Sequence, residues 1–385
     1  MTTDVISFRS FCESQREWVV DTAEALARLE SPSDDKAAVD RCGTELERRL
    51  AMIGARVVRL PQQTAGDHLR AEFGEGPGQV LILGHFDTVW PVGQVARMPI
   101  ARTEGRLYGP GTFDMKAGIA IAMLGVRALR EAWLEPAGRI VLLLTTDEET
   151  GSPTSRNAIE EEALRSRAVL VFEPALPGGA VKTSRKGCGE FTVSVRGTAA
   201  HAGIAPGLGA NAIHELADQI LALERLQDPA RGISVNVDIV RGGTRTNVIA
   251  EEARAEVDVR VTSMDDAARL EAAVRGLTTR RAGTRLSVAG GINRPPFERT
   301  AAVIRLYEMA RALASEMGIE LGEGGTGGGS DGSFAAALGV PTLDGLGAVG
   351  DGAHAVHEHV ELDSLCWRAA LAAGLMARLS RAEVG

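Results

Sequence analysis

The chain has 385 residues, 44% of them hydrophobic and 24% charged, an ordinary globular composition whose length predicts two domains, each with its own core. Its net charge of −9, from 51 acidic against 42 basic residues, argues against non-specific nucleic-acid binding and biases the surface toward cations without naming a substrate. Cys12, Cys42, Cys188 and Cys366 lie far apart with no CxxC pair, which argues against a disulfide framework or a thiolate zinc site and fits a reducing cytosol. The first twenty residues lack a basic stretch followed by an apolar run, and nowhere do 18 uncharged apolar residues follow one another. The expectation is a cytoplasmic protein with no membrane span.

In chain order, the spacing of apolar residues predicts a helix over residues 7–30 and another over 34–53, the second after the breaker pair Ser31-Pro32. Strand patterns follow at ARVVRL, HLRAEF and QVLILG. A helix is expected over 115–131, with Asp114 as its cap and the apolar run MKAGIAIAMLGVRAL as its body. RIVLLLTT and AVLVFE are further strands, separated by a helical stretch. Continuous apolar strands alternating with helices predict an α/β domain with a mostly parallel sheet covered on both faces.

Near residue 187 the pattern changes. GEFTVSVRG alternates like a half-exposed strand, ANAIHELADQILALERL is amphipathic, GISVNVDIV and EARAEVDVRV are strands, DDAARLEAAVRGLTTR is helical and TRLSVAG is a last strand. This βαββαβ order is that of a ferredoxin-like α+β unit with one face of its sheet exposed. The predicted organisation is a catalytic domain in two parts, 1–186 and 293–385, with 187–292 inserted. The first domain's helix–strand alternation resumes at Asn293 and closes with a helix of about 18 residues from Leu362.

The chemistry gathers at the polar ends of the apolar strands. His85 and Asp87 follow LILG, Asp114 sits in YGPGTFDMKAG, Asp147, Glu148 and Glu149 follow VLLLTT, Glu173 follows VLVF, and His354 lies in DGAHAVHEHV. In open α/β sheets ligands bind beyond the carboxyl ends of the strands, where three of these groups fall. Carboxylates collected there repel one another and raise each other's pKa unless a cation neutralises them, so the set predicts a metal site. Imidazole and carboxylate donors without thiolate suit zinc, with cobalt or manganese as substitutes. Two histidines and three or four carboxylates are enough for two ions sharing a bridge. The adjacent pair Glu148-Glu149 makes sense if one binds metal and the other, facing the opposite way, moves a proton. Within GAHAVHE, both His354 and His357 can ligate.

GHFDTV, YGPGTFDMKAG, TTDEETGS, FEP, GTAAHAG, TGGGSDG and GAHAVHE, in this order, resemble the dizinc aminoacylase and carboxypeptidase family. That family includes acetylornithine deacetylase and succinyl-diaminopimelate desuccinylase, and the likeness is nearest to its folate-hydrolysing glutamate carboxypeptidases. The resemblance implies a zinc-peptidase catalytic domain with an inserted dimerisation, or lid, domain. It makes Asp114 the bridging ligand, with His85 and Glu173 on one zinc ion and Glu149 and His354 on the other. The pattern of a histidine with a glutamate four later matches His354 and Glu358. Glu148 becomes the general base. Asp87 accepts from the ring N–H of His85, and a cis peptide is implied between Asp114 and Met115.

In the insert, the resemblance makes His201 the histidine that enters the active site of a second subunit in a homodimer and stabilises an oxyanion. Asn247, Arg260 and Arg294 are implied in holding a substrate carboxylate, with the backbone of Gly327, Gly328 and Gly329. On residues alone, a lone arginine on a strand is more often a surface ion-pair partner. Lys182, Arg185 and Lys186 suit either the hinge or the substrate, and His68, His214 and His359 read as structural. The implied reaction is hydrolysis of an amide to release a C-terminal amino acid, glutamate above all, from a peptidyl or N-acyl substrate; the alternative is an N-acyl amino acid deacylase. A remote alternative is nicotinamide-dependent oxidoreduction, because GEGGTG at 322–327 satisfies GxGxxG with Asp344 about 20 residues on.

Overall fold

The computed structural model describes residues 5–132 and 138–381. The chain divides into two compact units, one of Met1–Ser184, Arg299–Gly325 and Ser330–Gly385, the other of Arg185–Glu298 with the short segment Thr326–Gly329.

The first unit is built on a six-stranded sheet in the spatial order Arg56–Leu60, His68–Phe73, Arg139–Thr145, Gln79–His85, Ala168–Val171, Thr342–Leu343. The last four run parallel, and the first two pair antiparallel at one edge. Successive side chains of these strands enter different cores. Val80, Ile82, Leu142, Leu144 and Leu170 join one apolar cluster, while Leu81, Leu83, Val141, Leu143, Val169 and Val171 join another with Ile159 and Phe334. Both faces are covered, which is why the strands read as unbroken apolar runs.

The helix expected over 7–30 is two helices, Val5–Ser14 and Arg16–Arg28, meeting at Gln15. Asp35 starts the helix Lys36–Met52 by accepting from Ala38 N at 3.0 Å. The helix expected from 115 begins later, as Ala117–Glu131, and Asp114 does not cap it. Its carboxylate is turned to two imidazoles instead. The terminal helix, Leu362–Arg381, has 20 residues. A second sheet, of Gly350–Asp351, His359–Glu361, Arg106–Tyr108 and Ala101–Thr103, was not foreseen, because strands of two or three residues carry no readable period.

The second unit has strands Ser234–Gly242, Glu252–Val261, Gly187–Arg196 and Arg285–Arg294 in that spatial order, all antiparallel. With helices Ala212–Glu224 and Met264–Arg275 this is the ferredoxin-like order. Phe191, Val193, Val195, Val257 and Val259 pack with Leu216, Leu223, Leu270 and Val274 from the helices. The alternate positions Glu190, Thr192, Arg254, Glu256 and Asp258 stay at least partly open to solvent. The second helix stops at Arg275, short of the expected end, with Gly276 as its C-cap, and beyond it Glu215 takes the main-chain N–H groups of Arg280 and Arg281.

Candidate metal centre

Topology alone brings three of the donor-bearing segments together. Arg139–Thr145, Gln79–His85 and Ala168–Val171 are adjacent and parallel, so His85, the Glu148–Thr150 turn and Glu173 emerge at the same sheet edge. Gly118, early in the Ala117–Glu131 helix, keeps that helix close: a Cβ there would meet Phe172 O at 2.0 Å. The segment Thr112–Lys116 lies just before this helix, and its Asp114–Met115 peptide is cis, as the resemblance implied.

Asp114 sits at the centre. Its Oδ1 is 3.2 Å from His85 Nε2, and its Oδ2 is 3.4 Å from His354 Nε2. Glu173 Oε1 is 3.5 Å from the same His85 nitrogen, and Glu149 Oε1 is 3.1 Å from that of His354. One carboxylate thus offers each of its oxygens to a different imidazole, and each imidazole has a second carboxylate of its own. Glu148 also approaches: two ligand triads fit a single ion, His85 with Glu148 and Glu173, and His85 with Asp114 and Glu149. Both members of the Glu148-Glu149 pair therefore reach the cluster, where opposite orientations were expected.

His85 is oriented from behind, but not simply across a strand. The strand ends at His85, and Asp87, fully buried, lies in the irregular segment beyond. His85 Nδ1 is 3.1 Å from the main-chain O of Asp87 and 3.3 Å from its Oδ1. Asp87 Oδ2 accepts from Ser33 Oγ at 2.7 Å and Glu149 N at 3.2 Å. Nδ1 thus carries the proton and Nε2 faces the carboxylates, the tautomer a metal-binding histidine needs.

His354 occupies the left-handed region, with φ of 60°, a conformation that costs a non-glycine residue roughly 1–2 kcal/mol and is concentrated at functional sites. His357 does not join the cluster: it is exposed, with its Nε2 4.0 Å from Asp351 Oδ2. Asp147 also stays outside, where its Oδ2 accepts from Thr154 N, Thr154 Oγ1 and Ser155 N. Of the histidines read as structural, His68 is buried between Thr146 Oγ1 and Thr154 Oγ1, and His359 packs beside Tyr108.

The electrostatics are those of clustered negative charge. Burial opposes a charge on His85, but Asp114, Asp87 and Glu173 outweigh it and raise its pKa well above the usual value. Hydrogen bonds donated by its ring to Asp114 and Glu149 push His354 up to about 10. Burial tends to raise Asp114, yet the two histidines hold it below the ordinary carboxylate range, while burial leaves Glu149 raised. Protons on the imidazoles do here what a divalent cation would do better. The donor set, imidazole and carboxylate without thiolate, fits such an ion.

The remaining predicted residues fall into two groups within the second unit. His201 and Asn247 are one: Ala202 N donates to Asn247 O at 2.9 Å, and His201 bridges to Val248. His201 Nδ1 accepts from Gly203 N and Ile204 N, each at 3.1 Å, which leaves the ring proton on Nε2. The other group is Arg260, Arg294 and Gly329. Arg260 and Arg294 both stand opposite Cys188 on strands either side of it. A Cβ at Gly329 would be 2.6 Å from Arg294 Cδ, so a larger residue there would have to displace the arginine side chain. Arg185 donates to Gly328 O and Gly329 O at 3.2 and 2.8 Å, so it braces the glycine run. Gly327 and Gly328 have open space around them. Arg260 makes a two-point ion pair with Asp258, at 3.0 and 2.9 Å.

Comparison with known proteins decides the family. Residues 81–378 match the model of Peptidase family M20/M25/M40. The chain belongs to peptidase family M20/M25/M40. This M20 chain is 34% identical over 372 residues to carboxypeptidase G2 of Pseudomonas sp. (strain RS-16), covering 93% of this chain and 88% of that protein. It is 30% identical over 370 residues to succinyl-diaminopimelate desuccinylase of Acidovorax ebreus (strain TPSY), covering 89% and 92%. Among solved structures its fold is similar to that of the Bacillus subtilis YXEP protein, a dinuclear metal-binding M20 peptidase, with a TM-score of 0.70 at 16% identity over 95% of this chain and 98% of that one. The protein is thus a metal-dependent hydrolase of amide bonds, with a candidate dinuclear centre among its described residues.

The nicotinamide reading fails on structure. Residues 323–326 of the GxGxxG match form a strand, Glu323–Thr326, paired with Val181–Arg185, and the next helix, Gly332–Ala337, is only six residues long. A dinucleotide motif needs the glycines in the turn between a strand and a helix. Among the described residues, no helix is long and apolar enough to cross a membrane.

Proposed function

We propose that this M20 hydrolase releases a C-terminal amino acid, preferentially glutamate, from peptidyl or N-acyl substrates, using two zinc ions that cobalt or manganese can replace. The observation that carries the metal assignment is Asp114, whose two oxygens face two separate imidazole–carboxylate pairs. His85, Asp114 and Glu173 would hold one ion, and Asp114, Glu149 and His354 the other. When bound, the ions supply Lewis acidity and make water a better acid. Glu148 takes the proton from the attacking water and returns it to the nitrogen of the leaving amine. Asp87 keeps the ring proton of His85 on Nδ1.

His201 presents its Nε2–H as a donor to the oxyanion that develops on the carbonyl oxygen. It does so in the partner subunit of a homodimer formed through the second unit. Exposed Ile239 and Val240 on that unit's edge strand, Ser234–Gly242, support a self-pairing surface. Arg294, Arg260, Asn247 and the Gly327–Gly329 backbone hold the substrate carboxylate, for which guanidinium forks are suited. Four free cysteines and the acidic charge suit a cytoplasmic enzyme.

The likeness to carboxypeptidase G2 supports the carboxypeptidase reading, and the desuccinylase relative supports a second, N-acyl deacylase reading. A panel of dipeptides ending in glutamate and of N-acyl amino acids, assayed with added zinc and after chelation, separates them. Faster zinc-dependent cleavage of the peptides is expected. A preference for acyl substrates with other amines moves the enzyme to the deacylases, and undiminished cleavage after complete metal removal overturns the mechanism.

A further inference from the structure

Glu358, four residues after His354, is fully buried and belongs to no ligand triad. Its carboxylate nevertheless binds the segment that delivers Asp114. Oε1 accepts from Phe113 N and Asp114 N, both at 3.0 Å, and Oε2 accepts from Gly111 N at 2.9 Å and Trp90 Nε1 at 2.8 Å. Its main-chain O accepts from Gly109 N as well. Three of the four side-chain bonds come from the stretch 111–114, and a carboxylate has about four acceptor sites, so all are used.

From this we infer that Glu358 is a positioning residue of the metal centre, fixing the Gly111–Asp114 backbone so that both oxygens of Asp114 point at their histidines. The inference rests on the proposed role of Asp114 as the shared ligand. Holding the peptide N of Asp114 fixes the direction of its Cα–Cβ bond, and the 3.2 and 3.4 Å approaches to His85 and His354 follow from that direction. Main-chain continuity from Glu358 back to His354 ties the second histidine to the same anchor. A glutamine cannot substitute: it has one acceptor oxygen, and its amide N–H groups would confront two of the donors. Trp90 bonds the same carboxylate from another segment, so losing its indole leaves the three bonds to 111–114 in place.

The test is zinc titration of the full chain, by calorimetry and by zinc bound per folded molecule, for wild type, Glu358→Gln and Trp90→Phe. The expected result is two zinc ions in wild type and in Trp90→Phe with equal affinity, and a loss of roughly 10–100-fold in Glu358→Gln, the scale for groups that orient metal ligands. Zinc is counted per folded molecule, so general destabilisation, which lowers the folded fraction and leaves the affinity of each folded molecule unchanged, does not mimic this loss. Wild-type zinc affinity in folded Glu358→Gln overturns the inference while leaving the metal centre intact. Failure of wild type to take up two ions overturns the metal reading itself. Should Glu358→Gln not fold, Glu358→Asp, which keeps the charge but withdraws it by one methylene, is expected to lose affinity in the same direction, and wild-type affinity there overturns the inference equally.

Discussion

Two sets of buried carboxylates, one in each unit, are satisfied in opposite ways. In the second unit Glu215 is fully buried and surrounded by donors: Gln219 Nε2 at 2.6 Å, Arg280 N at 3.0 Å, Arg281 N at 2.6 Å and Thr284 Oγ1 at 3.2 Å. Burial acts to raise its pKa, but these bonds outweigh it, and the pKa is lowered. In the first unit Asp114, Glu149 and Glu173 face one another and two imidazoles. Glu215 is satisfied by the fold and asks for nothing more. The first cluster sets carboxylates against two imidazoles whose protons a cation can replace. Burial of acidic residues therefore does not itself mark a site; the identity of the surrounding donors does.

The largest test of this contrast is Glu148→Ala, expected to lower turnover by about 10²–10⁴-fold with two metals still bound, the scale of general acid–base catalysis. Turnover and metal per chain are read together. Loss of metal would move Glu148 into the ligand set, as its closeness to His85 and Glu173 permits. Next is His354→Ala against His357→Ala. The first should weaken metal binding by at least about 100-fold, since even groups that only orient ligands are worth 10–100-fold. The second should leave it unchanged, and equal losses in both would erase the geometric distinction between them.

On the other side of the comparison, Glu215→Gln turns one acceptor into a donor facing main-chain N–H groups, and should cost about 1–3 kcal/mol in denaturant unfolding. Activity per folded molecule should not change. Because the folded pKa of Glu215 is lowered, its stabilisation is present above the unfolded pKa of about 4.3 and is lost as pH falls through the lower folded value. The stability gap between wild type and Glu215→Gln should therefore close in acid. The smallest effect is proton release. With His354 at about 10 and His85 raised, both rings are protonated near neutrality and must be neutral to bind metal. Calorimetry in two buffers of different ionisation enthalpy should show protons leaving as zinc enters, and affinity rising with pH. No buffer dependence would remove the charge argument.

Much of this was legible in the sequence, because periodicity and strand-end polarity are local. The apolar runs QVLILG and RIVLLLTT name the central strands, and the βαββαβ order names the second unit's topology. His85, Glu149 and Glu173 were readable because parallel strands deliver their carboxyl ends to one edge whatever the details of packing. Asp114 was harder: its place before an apolar helix made it look like a cap, and only the tertiary structure shows its carboxylate turned to two imidazoles. Glu358 was visible as half of a spacing pattern, but nothing local says that its carboxylate reaches residues 244 to 247 positions away. His354 and His357 are indistinguishable by composition, and a backbone turn with positive φ at one of them decides which enters the cluster. The sequence by itself determined which residue types stand at which strand ends. Tertiary structure decided which of their atoms meet, because bond direction depends on backbone angles set by hydrogen bonds between segments hundreds of residues apart.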